Sequence, residues 1–142
     1  MSQAVVYTDG ACRNQGQANA KAGWGVFWGD NHANNRYGWI NGLQDSNRAE
    51  LAAAKNAISM AVEKGYTGIT INSDSQYVKE AVDNSAFYQR SPVEKRDFQQ
   101  SINDLKAKIG VNVQLIQAHS GIHGNNKAHE FANLGVNNTP TQ

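Results

Sequence analysis

The sequence predicts an α/β domain built on one five-stranded mixed sheet with helices on its faces. Three observations predict it. Residues 4–12, AVVYTDGAC, alternate with a period of two; residues 46–65, SNRAELAAAKNAISMAVEKG, are rich in strong helix formers and close on a glycine; and a strand, helix, strand order follows. That order requires a crossover connection and hence a parallel pair.

In chain order, the first strand places Val5, Tyr7 and Asp9 on one side and Val6 and Thr8 on the other. The polar stretch RNQGQANAKA reads as a loop. GWGVFWG, residues 23–29, brings back the aromatic and β-branched residues of a strand, and NRYGWING, residues 35–42, is its expected antiparallel neighbour. A long helix runs from Ser46 to Val62, with Gly65 as its stop. GITINS, residues 68–73, is a strand ending at Asp74, and SQYVKEAVDN starts a second helix. Over residues 93–110, Phe98, Ile102, Leu105 and Ile109 recur at helical spacing behind Pro92. VNVQLIQA, residues 111–118, is the fifth strand. NNKAHEFANLGV is a last helix, with Ala128, Phe131, Ala132 and Leu134 on one face. The result is β-β-β-α-β-α-α-β-α over residues 1–136, with a frayed tail at 137–142. In such sheets the site lies at the carboxyl ends of the parallel strands.

Composition narrows the function classes. A chain of 142 residues, 39% hydrophobic and 18% charged, is enough for one globular core, and no apolar run approaches the twenty or so residues that span a bilayer. The opening MSQAVVYTDG carries no secretory pattern, and a lone Cys12 cannot form an internal disulfide, so an intracellular setting is expected, whether cytosol, nucleus or organelle. A net charge of +1 is too small to hold a polyanion by bulk attraction, so any such attraction must be local.

Three carboxylates fall where the topology would bring them together. Asp9 lies late in the first strand, Asp74 at the carboxyl end of the fourth, and Glu50 one turn into the long helix. Each has an ordinary reading by itself: Asp9 before Gly10 as a turn, Asp74 before Ser75 as a helix cap, Glu50 as a solvated charge. As a cluster they would repel by about 4 kcal/mol per pair at 4 Å and an effective dielectric near 20. A cation is then needed. Oxygen ligands favour Mg²⁺ or Mn²⁺, and paired ions can activate a water and stabilise a leaving alkoxide in phosphoryl displacement.

The motifs YTDGAC, SNRAEL, INSDSQYV and AHSGIHGN, in that order, resemble type 1 ribonuclease H, and the resemblance covers nearly the whole chain. It implies a ribonuclease H-like fold and a metal-dependent endonuclease that hydrolyses the RNA strand of an RNA–DNA hybrid by two-metal phosphodiester cleavage. It makes Asp9, Glu50 and Asp74 metal-binding carboxylates, with Mg²⁺ as the cofactor and Mn²⁺ as its substitute. It also puts His119 on a mobile loop near the scissile phosphate, assisting proton transfer or product release. Gly121 and Gly124 give that loop freedom, and His123 is incidental.

One departure from the family pattern concerns the metal site directly. The family's fourth carboxylate, ten residues after the loop histidine, is replaced by His129. Glu130 points about 100° away on a helix and does not substitute for it. His129 is therefore a candidate catalytic and metal-site residue, with an exposed helix position as the alternative. Imidazole suits softer metals, so Mn²⁺ is expected to work relatively better than Mg²⁺.

For the substrate, the resemblance assigns Cys12, Gln15, Ser46 and Asn47 to sugars and backbone, although asparagine is more usual where Gln15 and Ser46 stand. Arg48 has a local role at phosphate or bracing the carboxylates, or is a solvated first-turn residue. Trp24, Trp28 and Trp39 are expected to pack in the core or on the sheet rather than to stack on bases. At DNSAFYQRSPV, residues 83–93, the lysine- and tryptophan-rich insertion of many relatives is absent or minimal. Modest affinity follows, with a monomer that relies on an additional hybrid-binding domain or a polymerase partner. Two rivals remain: a binding module of the same fold without catalysis, and a transposase- or integrase-type nuclease.

Overall fold

The computed structural model describes residues 2–84, 86–118 and 120–139. Its strands are β1 (Gln3–Arg13), β2 (Lys21–Phe27), β3 (Arg36–Trp39), β4 (Gly68–Ser73) and β5 (Gly110–Leu115), in the order β3-β2-β1-β4-β5. The first three form an antiparallel meander, and β1, β4 and β5 run parallel, so the sheet is mixed as the sequence predicts. The helices are α1 (Ser46–Glu63), α2 (Gln76–Asp83), α3 (Phe87–Arg90), α4 (Arg96–Leu105) and α5 (His123–Asn137).

Strand alternation divides the sheet. Ala4 and Val6 pair in register with Ile69 and Ile71, and these side chains meet Leu51, Ala54 and Ile58 of α1 in the main core. The opposite face of β1 and β2 receives α5, and glycines set that distance. A Cβ on Gly23 would stand 2.4 Å from Val136 N, one on Gly25 2.5 Å from Ala128 O, and one on Gly135 2.2 Å from Gly38 O. Backbone therefore packs on backbone across the α5 interface.

Several boundaries differ from the sequence reading, each for a local reason. β2 ends at Phe27 because the Asn35 side chain takes the Trp28 amide (2.7 Å) and closes the turn. β3 ends at Trp39, since the following residues turn through Gly42 at φ +80°. The helix expected over 93–110 begins as a 3₁₀ turn at Val93–Lys95 and stops at Leu105, and Gly110 opens β5. β5 ends at Leu115, where the β4 partner runs out at Ser73. Within the 83–93 segment a four-residue helix, α3, adds an element that periodicity had not indicated. The tail is not frayed where described: Asn137 ends α5, and Asn138 Nδ2 and Thr139 Oγ1 donate back to Leu134 O (2.6 Å) and Gly135 O (3.0 Å).

Trp24 and Trp28 pack against the main core as expected, but Trp39 does not: it stays 46% exposed at the end of the edge strand. Gly25→Ala should destabilise the fold by about 1–3 kcal/mol in urea unfolding, because the new methyl group meets helix backbone that cannot rotate away.

Candidate metal centre and its cleft

Asp9 and Asp74 reach the same level by strand register. Tyr7 pairs with Asn72 across the parallel β1–β4 ladder, and each aspartate lies two residues further on, which with period two is the same face. Glu50 comes from α1, which crosses the end of β1 closely because residue 10 has no side chain; a Cβ there would stand 2.4 Å from Glu50 N. The Gly10 amide donates to Asp9 Oδ1 (2.9 Å) and also to Glu50 Oε1. Carboxylate oxygens of Asp9, Glu50 and Asp74 all lie within 4.8 Å of one another, and Asp9 and Glu50 are buried.

The entry of α1 is fixed by a buried polar assembly. Asp45 caps the helix, accepting from Arg48 N (3.0 Å), and is approached by Lys95 Nζ (3.4 Å). The Arg48 side chain turns away from the cleft. Its guanidinium donates to the carbonyls of Asn41 and Leu43, pairs with Asp97 of α4, and lies 4.7 Å over the Phe98 ring. It thus neither meets phosphate nor braces the carboxylates; it ties the β3–α1 connection to α4 and so positions the helix that carries Glu50.

A cleft of about 320 Å³ opens on the cluster, lined also by Ser46, Asn47, Ser75, Asn125, Asn126 and His129. Ser46 and Asn47 thus share the cleft with the three carboxylates. Gln15 lies to the side, its Oε1 accepting from Ser46 N (2.8 Å) and its Nε2 donating to Asp45 (3.2 Å), so it orders the helix start. Cys12 is half-buried against Gln44 O (3.6 Å), and burial together with Asp45 pushes its thiol up, which leaves it protonated at neutral pH. His119 lies outside the described residues. His123 stands apart from the cleft, bridged to Asp30 (2.8 Å) and set edge-on to Phe27, in keeping with an incidental place.

His129 projects from α5 to the cluster and donates through Nδ1 to Asp9 Oδ2 (2.9 Å). The contact depends on the glycine-lined approach of α5 to β2. Its neighbour Glu130 is exposed and pairs with Lys127 (3.7 Å), away from the carboxylates. The sequence reading missed three lining residues. The cap of α2 is Ser75, which accepts from Val78 N (3.1 Å), not Asp74, to which the ordinary reading assigned it. Asn125 and Asn126 sit in the first turns of α5, one turn before His129, and that spacing was the available signal.

Repulsion sets the chemistry. At 4.8 Å each ionised pair costs about 3 kcal/mol at a dielectric near 20. Burial, a hydrogen bond shared with Asp9 and the charges of Asp9 and Asp74 hold the Glu50 carboxyl well above its usual 4.5, with the Gly10 amide opposing them. An oxygen-only donor set whose buried glutamate disfavours its own ionisation fits a hard divalent ion.

A family profile described as RNase H matches residues 1–137. The chain belongs to the RNase H family. It is similar to ribonuclease H1 of Rattus norvegicus, 30% identical over 142 aligned residues, which cover 93% of this chain and 50% of the relative. It spans about half the length of the mammalian RNase H relatives it matches. Among solved structures, RNase H1 of Halobacterium salinarum shares the fold at a TM-score of 0.73 and 22% identity, covering 96% of this chain and 98% of that one. A foamy viral protease-reverse transcriptase in complex with RNA/DNA hybrid does so at 0.69 and 22%, covering 94% of this chain and 20% of that one. No helix among the described residues of this RNase H chain is long and apolar enough to cross a membrane.

Metal-free stability should depend on pH with a definite sign. A carboxyl whose folded pKa is raised favours the folded state while protonated, and that contribution is lost as pH rises from 4.5 through the folded value. The melting temperature of the metal-free protein should therefore fall across that window, less so in Glu50→Gln, and a parallel decline in the two proteins would contradict the assignment.

Proposed function

We propose that this chain is a metal-dependent endonuclease that hydrolyses the RNA strand of RNA–DNA hybrids. The observation that carries the reading is the convergence of Asp9, Glu50 and Asp74, three acids from separate elements held within 4.8 Å against their mutual repulsion. A purely binding protein gains nothing from that arrangement, so the non-catalytic module fits the site less well. Family membership and a structural neighbour whose partner is an RNA/DNA hybrid support the substrate.

Asp9, Glu50 and Asp74 would hold divalent cation, Mg²⁺ or Mn²⁺. Such ions supply an activated water and charge stabilisation at the leaving oxygen during in-line displacement. The remaining roles belong to the chain's own groups. Gly10 N–H and His129 fix the two oxygens of Asp9, and so orient that carboxylate. Ser46 and Asn47 offer hydrogen bonds along one wall of the cleft to sugar and backbone, where a 2′-hydroxyl distinguishes RNA from DNA. Ser75, Asn125 and Asn126 offer them on the other. Cys12 and Gln15 contribute beside the start of α1, and His119 assists proton transfer or product release.

With a net charge of +1, the isolated chain binds hybrid modestly and works as a monomer in an intracellular setting, aided by a further hybrid-binding domain or a polymerase partner. Its working unit is taken as residues 1–136, although α5 itself closes at Asn137 and the next two side chains bond back to it. Replacement of the usual aspartate by His129 shifts the metal preference towards Mn²⁺.

A labelled hybrid, with double-stranded RNA and double-stranded DNA as controls, tests the reading. Cleavage should be confined to the RNA of the hybrid, and Asp9→Asn or Asp74→Asn should lose about a hundredfold or more. An unaffected rate in either variant, or equal cutting of double-stranded DNA, would contradict it. His129→Asp adds a fourth negative charge. It should lower the melting temperature of the metal-free protein and raise Mg²⁺-supported activity relative to Mn²⁺; identical melting and identical metal ratios would remove His129 from the account.

A further inference from the structure

A second groove, about 650 Å³, lies between the β1–β2 and β3–α1 connections and shares no lining residue with the catalytic cleft. Its volume suits a nucleotide-sized group rather than a protein segment. Its walls carry Arg13 and Lys21, which pair in register across β1 and β2, together with the side chains of Asn14, Asn41 and Trp39. No carboxylate lines it among the described residues, and neither Arg13 nor Lys21 forms an ion pair there. Arg13 uses one donor on Asn137 Oδ1 (2.7 Å), and a guanidinium has five. In a chain of net charge +1, two unneutralised cations over one groove are a local basic site of the kind its low overall charge requires.

Trp39 supplies the second half of the argument. Trp39 lines this groove, is 46% exposed, and enters no aromatic ring contact among the described residues. A half-exposed indole beside cations with no carboxylate is the pattern of a base-stacking platform that tracks a nucleic-acid backbone. Arg13 lies four residues beyond Asp9 in the same strand, about 14 Å at strand rise. That equals about four base-pair steps of a duplex seated on the carboxylates.

We propose that this groove binds an unpaired nucleotide of a strand continuing past the end of the hybrid, with the base on Trp39 and phosphates on Arg13 and Lys21. The enzyme would thus favour hybrids that adjoin a single strand over blunt ones. This rests on the hydrolase reading above, and the test separates the two.

Binding is measured by fluorescence anisotropy without divalent metal, so that RNA is not cut, on one hybrid made blunt, with an unpaired RNA extension, and with an unpaired DNA extension. In the wild type an extension should tighten Kd about five- to tenfold over blunt. A gain with both extensions, or with one that thereby identifies the strand, supports the proposal. The ratio of blunt to extended Kd should fall clearly in Trp39→Ala, leaving the part due to Arg13 and Lys21, and survive in Trp39→Phe. Arg13→Gln with Lys21→Gln should reduce the salt slope for the extended hybrid by about 1.4. Equal Kd values for blunt and extended hybrids in the wild type, or an undiminished ratio in Trp39→Ala, would overturn it. Failure of the parent reading would show separately, as a wild type that leaves blunt hybrid uncut in both Mg²⁺ and Mn²⁺.

Discussion

Repulsion among Asp9, Glu50 and Asp74 is the constraint on which the rest of the structure depends. Three carboxylates within 4.8 Å oppose folding unless other contacts hold their elements in place, and those contacts are visible on every side. The β1–β4 register sets two of the acids at one level. Gly10 lets α1 lie against β1, and the Arg48–Asp97 pair with the Asp45 cap fixes where that helix begins. Burial first, and then the hydrogen bond and charge of Asp9 and the charge of Asp74, raise the pKa of Glu50, and a cation in the cluster would oppose that shift.

Close backbone packing performs the same service on the other face of the sheet. At Gly23, Gly25 and Gly135 the backbones of α5, β2 and β3 meet directly, beside the Phe131 ring, and this carries His129 to Asp9 and the Asn125–Asn126 pair into the cleft. Asn125 is buried, and its Oδ1 has no hydrogen-bond partner among the described residues. Stability and site geometry are thus coupled through glycines rather than through large core side chains. The His129 imidazole adds no negative charge to the cluster and places a hydrogen bond on Asp9.

Much of this was legible in the sequence because it follows from period and order. Alternation in AVVYTDGAC placed Asp9, the helix formers after Ser46 placed Glu50, and the strand end at Asp74 followed from GITINS. What was not legible depends on partners distant in the chain. Nothing local in NRAE tells Arg48 to turn towards Asp97, 49 residues away. The end of β2 is decided by a side chain eight residues on, and the exposure of Trp39 by the position of β3 at the sheet edge. Helix α3 is too short to produce a period.

The central claim is that the three acids share divalent cation, and diffraction from crystals soaked in Mn²⁺, recorded where manganese scatters anomalously, tests it most directly. The account predicts an anomalous peak at roughly 2.0–2.2 Å from carboxylate oxygens of Asp9, Glu50 and Asp74, with His129 still bonded to Asp9 or moved onto the ion. A peak held elsewhere, or a cluster that stays free of metal at saturating Mn²⁺ and neutral pH, would contradict it.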